Sequence, residues 1–229
     1  CAIFIVPFLE RGGKMQKIMG IEYLRDKLDV YRQGALKRQS IYDMKDVDVS
    51  PSITIPPNLR SMYRATLGWG AKAVDSISDR LVFREFSNDL FNLNEIFELN
   101  SANVLIDDAK LSALVNSCSF IYISEGDDGF PRLQVIQGSE ATGILDPVTR
   151  LLTEGYAVLS RDEYGNPHEE LYFIANRTDY FVNGKRVNSV MHNAPAPLLV
   201  PIIHRPDATK PFGRSRITPS AIYYQKYAK

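Results

Sequence analysis

Three hairpin signatures follow one another after Cys118, and they restrict the fold more than any other feature of the chain. "CSFIYISEGDDGFPRLQVIQG" sets the β-rich "SFIYIS" and "LQVIQ" on either side of an Asp127-Asp128-Gly129 turn. "EGYAVLSRDEYGNPHEELYFIA" repeats the plan with Gly165-Asn166-Pro167 at its turn. "TDYFVNGKRVNSV" repeats it again around Asn183-Gly184, the strongest short-range hairpin signal, because both central residues of a type I′ turn need positive φ. Short strands joined by tight turns pair antiparallel, so the second half is expected to form a mostly antiparallel sheet.

Before Cys118 the apolar period is helical. Ile21, Leu24, Leu28 and Tyr31 recur at spacings of three and four within a helix expected over Gly20 to Lys45. "SPSITIPPN" ends that run, since Pro56 and Pro57 cannot continue a helix. Asn58 is a candidate cap for a second helix reaching about Leu81, with the stripe Leu59, Met62/Tyr63, Thr66, Gly70, Ala73/Val74, Ile77 and Leu81. Its small middle, Thr66, Gly70 and Ala73, predicts close approach of another backbone, with Trp69 packed helix to helix beside it. Asn88 is expected to cap a third helix carrying Leu90, Phe91, Ile96 and Phe97. Asp107 or Asp108 is expected to cap a fourth, with Leu111, Leu114 and Val115. "NAPAPLLVPIIHRPDATKPFGRS" reads as a Pro-rich crossing segment with one buried run, Leu198 to Ile203, and "ITPSAIYYQKYAK" opens a last helix. The expected class is α+β, divided into a leader (1–19), a helical part (20–117), a β part (118–204) and a joint leading into a helix (205–229).

Within the leader, Arg11-Gly12-Gly13-Lys14-Met15 back-translates to a purine-rich ribosome-binding site ahead of a start codon. Residues 1–14 are therefore read as translated upstream sequence, with the natural start at Met15 or Met19. The apolar run Ala2 to Leu9 is too short to span a membrane. Cys1 and Cys118 form no CxxC pattern and are read as free thiols of a reduced compartment.

The enzymatic readings find no support. Gly213-Arg214-Ser215-Arg216-Ile217 departs from a nucleophile elbow at its fifth residue and follows no buried strand, which leaves a hydrolase built on Ser215 a distant third choice. His168, His192 and His204 share no ligand spacing, and Glu125, Asp127 and Asp128 read as a solvated turn, so neither metal nor cofactor is expected. No Walker loop or GxGxxG occurs. Lys+Arg and Asp+Glu both total 27, which argues against a chain that binds nucleic acid or anionic membranes through bulk charge.

One charged cluster stands out: Arg205, Lys210, Arg214 and Arg216, with Phe212 among them and Tyr223, Tyr224 and Tyr227 following. Arginines beside aromatics can grip nucleic acid, and this defines one functional alternative, a stand-alone nucleic-acid-binding module. They also pair with carboxylates at joints between elements, and Gly213 with Ser215 or Thr218 has the composition of a turn followed by a helix cap.

Several stretches, taken in order, resemble the portal proteins of tailed bacteriophages, in the group carried by siphoviruses and prophages. They are "LDVYRQGALKRQSIYDM", "TIPPNLRSMYRATLGWGAKAVDSISDRLVFREF", "NEIFELNSANVLIDDAKLSALVNSCSFIYI", "ILDPVTRLL", "EELYFIA" and "LLVPIIHRPDATKPFGRSRI". The resemblance runs from about Leu24 onward, and its most telling pair is "GWGAKAVDSISDRL" followed at distance by "VPIIHRP" and "PFGRS". It implies a structural, non-enzymatic protein: a closed homo-oligomeric ring, dodecameric in the virion, through which double-stranded DNA is packaged and ejected. Capsid or scaffold proteins, the terminase and the head-to-tail connector would be its partners, at the portal vertex and in the host cytoplasm during assembly. Leu24 to about Ile203 would be wing, and "PFGRSRITPSAIYYQKYAK" would lead into the first stem helix. The clip, channel-lining helix and crown would lie beyond Lys229. On this reading Trp69, Gly70 and Ala73 pack helices together, and Arg205, Lys210, Phe212, Gly213, Arg214, Ser215 and Arg216 form the wing–stem joint, with Arg214 and Arg216 making charge-assisted contacts.

Overall fold

Cys118, where the sequence changes period, is the first residue of the first strand. In the computed structural model, which describes residues 18–45, 56, 67–87, 91–126 and 129–227, the protein is α+β. Helices α1 (Ile21–Tyr42), α2 (Trp69–Ser78), α3 (Leu93–Leu99) and α4 (Ala102–Asn116) come first. Strands β1 (Cys118–Glu125), β2 (Pro131–Gln137), β3 (Ala141–Leu145), β4 (Leu152–Arg161), β5 (Pro167–Ile174), β6 (Arg177–Val182), β7 (Lys185–Met191) and β8 (Leu199–Ile203) follow, and then α5 (Pro219–Tyr227).

The strands form two antiparallel sheets rather than one. β3 to β7 make a five-stranded meander, and β2-β1-β8 make a three-stranded sheet. The run expected to be a crossing segment, Leu198 to Ile203, therefore contributes β8, which pairs with β1 from Cys118↔Ile203 to Tyr122↔Leu199. The sheets face each other across Phe120, Tyr122, Ile136, Leu171, Phe173 and Leu199. Their approach is close because β4 is small there: a Cβ on Gly155 would lie 2.9 Å from Leu199. The opposite side of β1 is also covered. Ile121 packs on Leu105 and Ala109 of α4, and the Ser119 hydroxyl donates to the Ala109 carbonyl at 2.7 Å. A central strand buried on both faces loses the alternating pattern, which is why "CSFIYI" is nearly all apolar.

Three helix boundaries differ from the sequence expectation. α2 begins at Trp69 with Gly68 as its N-cap, while Asn58, Leu59, Met62, Tyr63 and Thr66 lie outside the described residues. α3 starts at Leu93, so Phe91 precedes it, and Asn88 and Leu90 lie outside the described residues. α4 starts after Ser101, which places Asp107 and Asp108 in its interior. The earlier start follows from Asn100, whose amide donates to the Ile96 and Pro131 carbonyls and accepts from the Leu133 N–H, tying the α3–α4 turn to β2.

α1 bridges the layers. Leu24 and Leu28 bury fully against Tyr156, Val158 and Tyr172 on the outer face of the five-stranded sheet. Ile41, near the other end, joins Val74 of α2 and Leu114 and Val115 of α4. Full burial of each such aliphatic side chain stabilises by about 1.5–3 kcal/mol. α1 therefore holds the sheet and the helical layer together.

Candidate functional site

The residues after β8 close on themselves before they turn toward α5. The Arg214 N–H donates to the His204 carbonyl at 2.9 Å, and His204 Nδ1–H donates back to the Arg214 carbonyl at 2.7 Å. Inside this loop the Asp207 carboxylate accepts from the Thr209 N–H and hydroxyl, the Lys210 N–H and Arg214 Nε, all within 2.9 Å. Hydrogen bonds from Thr209 and Arg214 hold the Asp207 carboxyl well below the usual carboxylate range. Arg214 is thus committed to its own loop. Gly213 turns the chain at φ +77°, and a Cβ there would lie 2.2 Å from the His204 carbonyl oxygen, so both conformation and space require glycine.

The next three residues fasten the loop to the end of α4. A helix leaves its last four carbonyls without partners. Here the Arg216 N–H donates to the Leu114 carbonyl at 2.8 Å, and the Ser215 hydroxyl donates to the Val115 carbonyl at 2.6 Å. The Asn116 carbonyl accepts from the Tyr31 hydroxyl of α1 and from Arg38 at 3.3 Å. Ile217 then fills the apolar cluster of Ile41, Val74, Leu114 and Val115. Thr218 Oγ1 accepts the Ala221 N–H at 3.2 Å, with Pro219 at the first helical position. Of the two candidate caps, Thr218 caps α5, and Ser215 caps the departing end of α4. The segment that leads into α5 is thus anchored on the end of α4, and α5 itself packs on α2.

The sequence-predicted residues divide accordingly. Gly70 packs tightly: a Cβ would meet Ile41 Cγ2 at 2.7 Å and Ile217 at 3.7 Å. Ala73 is half-buried, and its carbonyl accepts from Arg216 Nε at 3.4 Å, which ties the joint to α2. Trp69 lies off the buried face of α2. It is 52% exposed, because the buried face of α2 is Gly70, Ala71 and Val74 and Trp69 precedes it on the helix. Arg205 is exposed at φ +51°, Lys210 is exposed, and Phe212 lies half-buried near Phe120. Tyr223 is exposed, and the side chains of Tyr224 and Tyr227 lie outside the described residues.

Among the described residues neither Ser215 nor His204 meets a catalytic partner. The Ser215 hydroxyl is held between the Val115 carbonyl and the Ile217 N–H, and His204 points at main chain. Among the described residues no group of three His, Cys, Asp or Glu side chains could hold a metal ion. Cys118 is a free, buried thiol whose pKa burial pushes up to about 11, far from a reactive thiolate. Asp127 and Asp128 lie outside the described residues.

Sequence reading missed a polar seam under the first half of α1. Glu154 and Glu170 are 3% and 2% exposed. The Glu154 carboxylate accepts from the Met19 and Gly20 N–H groups at 2.8 and 3.0 Å and from the Tyr172 hydroxyl at 2.7 Å. It substitutes for the side-chain cap that Gly20 lacks and lies at the positive end of the helix dipole. Glu170 takes a two-point contact from Arg25 at 2.9 and 2.7 Å and a further hydrogen bond from the Tyr156 hydroxyl. Glu154 and Tyr156 alternate on β4 as Glu170 and Tyr172 do on β5, so the pattern was visible in the sequence. Which helix covered that face was not.

Between α1 and the joint runs a cleft of about 990 Å³. Tyr23, Lys27, Tyr31 and Arg38 line one wall, and residues 210–215 and 217–219 line the other. Lys27 Nζ donates to the Gly143 carbonyl at 2.6 Å and lies 4.7 Å from the Phe212 ring centre; burial lowers its pKa. No protein-family model and no curated protein matches the chain.

Proposed function

We propose that this chain is the wing and wing-to-stem joint of a tailed-phage portal protein, a non-enzymatic subunit of the ring through which viral DNA enters and leaves the head. The observation that carries this reading is the joint at Arg205–Pro219. Its polar groups bind main chain and its own loop, and its product is a fixed launch direction for α5. A ring needs that property, because a small error in helix direction, repeated around the symmetry axis, prevents closure. The order of sequence stretches resembling portal proteins supports the same reading.

The nucleic-acid module is less well supported, since Arg214 is paired with Asp207 and Arg216 donates to the Ala73 carbonyl. Balanced charge suits a channel component, because tight phosphate binding would resist sliding. Double-stranded DNA would be cargo, and the terminase, the head-to-tail connector and the capsid or scaffold proteins would be the partners. Among the described residues no helix is long and apolar enough to cross a membrane. The test is the native mass of the full gene product. A uniform closed oligomer supports the portal reading. A monomer that binds DNA with a steep salt dependence favours the nucleic-acid module instead.

A further inference from the structure

Two exposed features of the molecule complement each other. The first is the cleft, whose lining holds no carboxylate and includes Lys27, Arg38 and Lys210, together with Arg214, whose charge is met by Asp207. Among the described residues no ion pair engages Lys27, Arg38 or Lys210. Tyr23, Tyr31 and Phe212 give the same cleft an aromatic lining. At this volume it can bury a large side chain together with its flanking turn.

The second feature is the β4–β5 hairpin tip. Tyr164 is 89% exposed there, with Glu163 exposed beside it. The tip is rigid, because the Asp162 carboxylate accepts from the Tyr164 and Asn166 N–H groups and from Asn166 Nδ2, and Arg161 donates to the Gly165 carbonyl. A rigid, exposed tyrosine costs little entropy to bind and is a frequent energetic anchor of interfaces.

The placement of the two features suits head-to-tail contact. Ile144 and Leu145, the sheet residues of the cleft, pair with Glu154 and Leu152 at the start of β4, and the tip lies past its other end. The ten residues of β4, about 30 Å of strand, separate them. Different patches on different parts of one subunit are what a heterologous ring contact requires.

We propose that the cleft receives the Asp162–Asn166 hairpin tip of a second copy of this chain, with Tyr164 entering between α1 and the joint and Glu163 facing the basic rim. The proposal rests on the ring reading only in that the partner is a second copy.

The test uses the full gene product, with Tyr164 replaced by a photo-crosslinking phenylalanine analogue and mixed with isotope-labelled copies. Crosslinks between differently labelled copies, mapped to residues 19–31 or 210–219, are expected. In parallel, Glu163→Lys and Lys210→Glu are each expected to weaken assembly about tenfold, and the double reversal to restore it. Both positions are exposed, so circular dichroism should show unchanged folding. Closed rings whose crosslinks fall elsewhere, or whose assembly ignores both charge reversals, overturn the cleft contact and leave the ring reading standing. A product that stays monomeric overturns both.

Discussion

The two ends of α1 are held by opposite chemistry. Its first turns lie on buried carboxylates, Glu154 beneath the Met19 and Gly20 N–H groups and Glu170 beneath Arg25. Its last turns meet Gly70, Val74, Leu114 and Ile217 through Ile41, an apolar contact made tight by a missing side chain. The polar end has few geometric solutions, since each buried acceptor must find its donors, so it sets where the helix starts and how it is rotated. The apolar end holds by close packing and completes the floor on which the joint rests. A charge left alone in the first region has no cheap relaxation, whereas the second can shift a methyl group.

The largest test of that contrast is Arg25→Ala. It leaves the Glu170 carboxylate buried without its cation and should cost about 3–5 kcal/mol in denaturant unfolding. A cost near that of a surface ion pair would mean that the seam is solvated and the contrast is wrong. Gly213→Val, in the joint, combines a positive φ with overlap on the His204 carbonyl, and about 3 kcal/mol is expected. Hydrogen exchange should place that loss in residues 204–217 and spare β4 and β5. Ser215→Ala strands the Val115 carbonyl and should cost about 2 kcal/mol, read as faster exchange at the end of α4.

Gly70→Ala sharpens the comparison from the tolerant side. The new methyl group would press on Ile41, and about 1–2 kcal/mol is expected because that side chain can shift. The smallest effect is pH dependence at the joint. Burial lowers the His204 pKa, so the unfolded chain binds its proton first, and stability should decline as pH falls below about 6.5. Melting curves should show this decline reduced in His204→Gln.

How much of this was legible in the sequence depended on how local the determinants were. The α1 stripe, the Asn183-Gly184 hairpin, Gly213 and the Thr218-Pro219 start of α5 each depend on residues a few positions apart, and each could be read directly. The division into two sheets could not, because β8 pairs with β1 some 80 positions earlier (Tyr122↔Leu199) through an apolar run that also fits a buried crossing. Trp69 misled for a related reason. A tryptophan beside a small stripe looks like core, yet the turn of α2 places Gly70, Ala71 and Val74 inside and leaves it outside. Glu154 and Glu170 look like ordinary solvent-side residues of a half-buried hairpin until α1, over 100 residues earlier, is known to lie across them.

The measurement that bears most directly on the proposed role is electron microscopy of the purified full gene product. The expected result is closed rings of uniform subunit number, with an axial channel that admits duplex DNA. Isolated monomers, or open filaments of variable length, would contradict it.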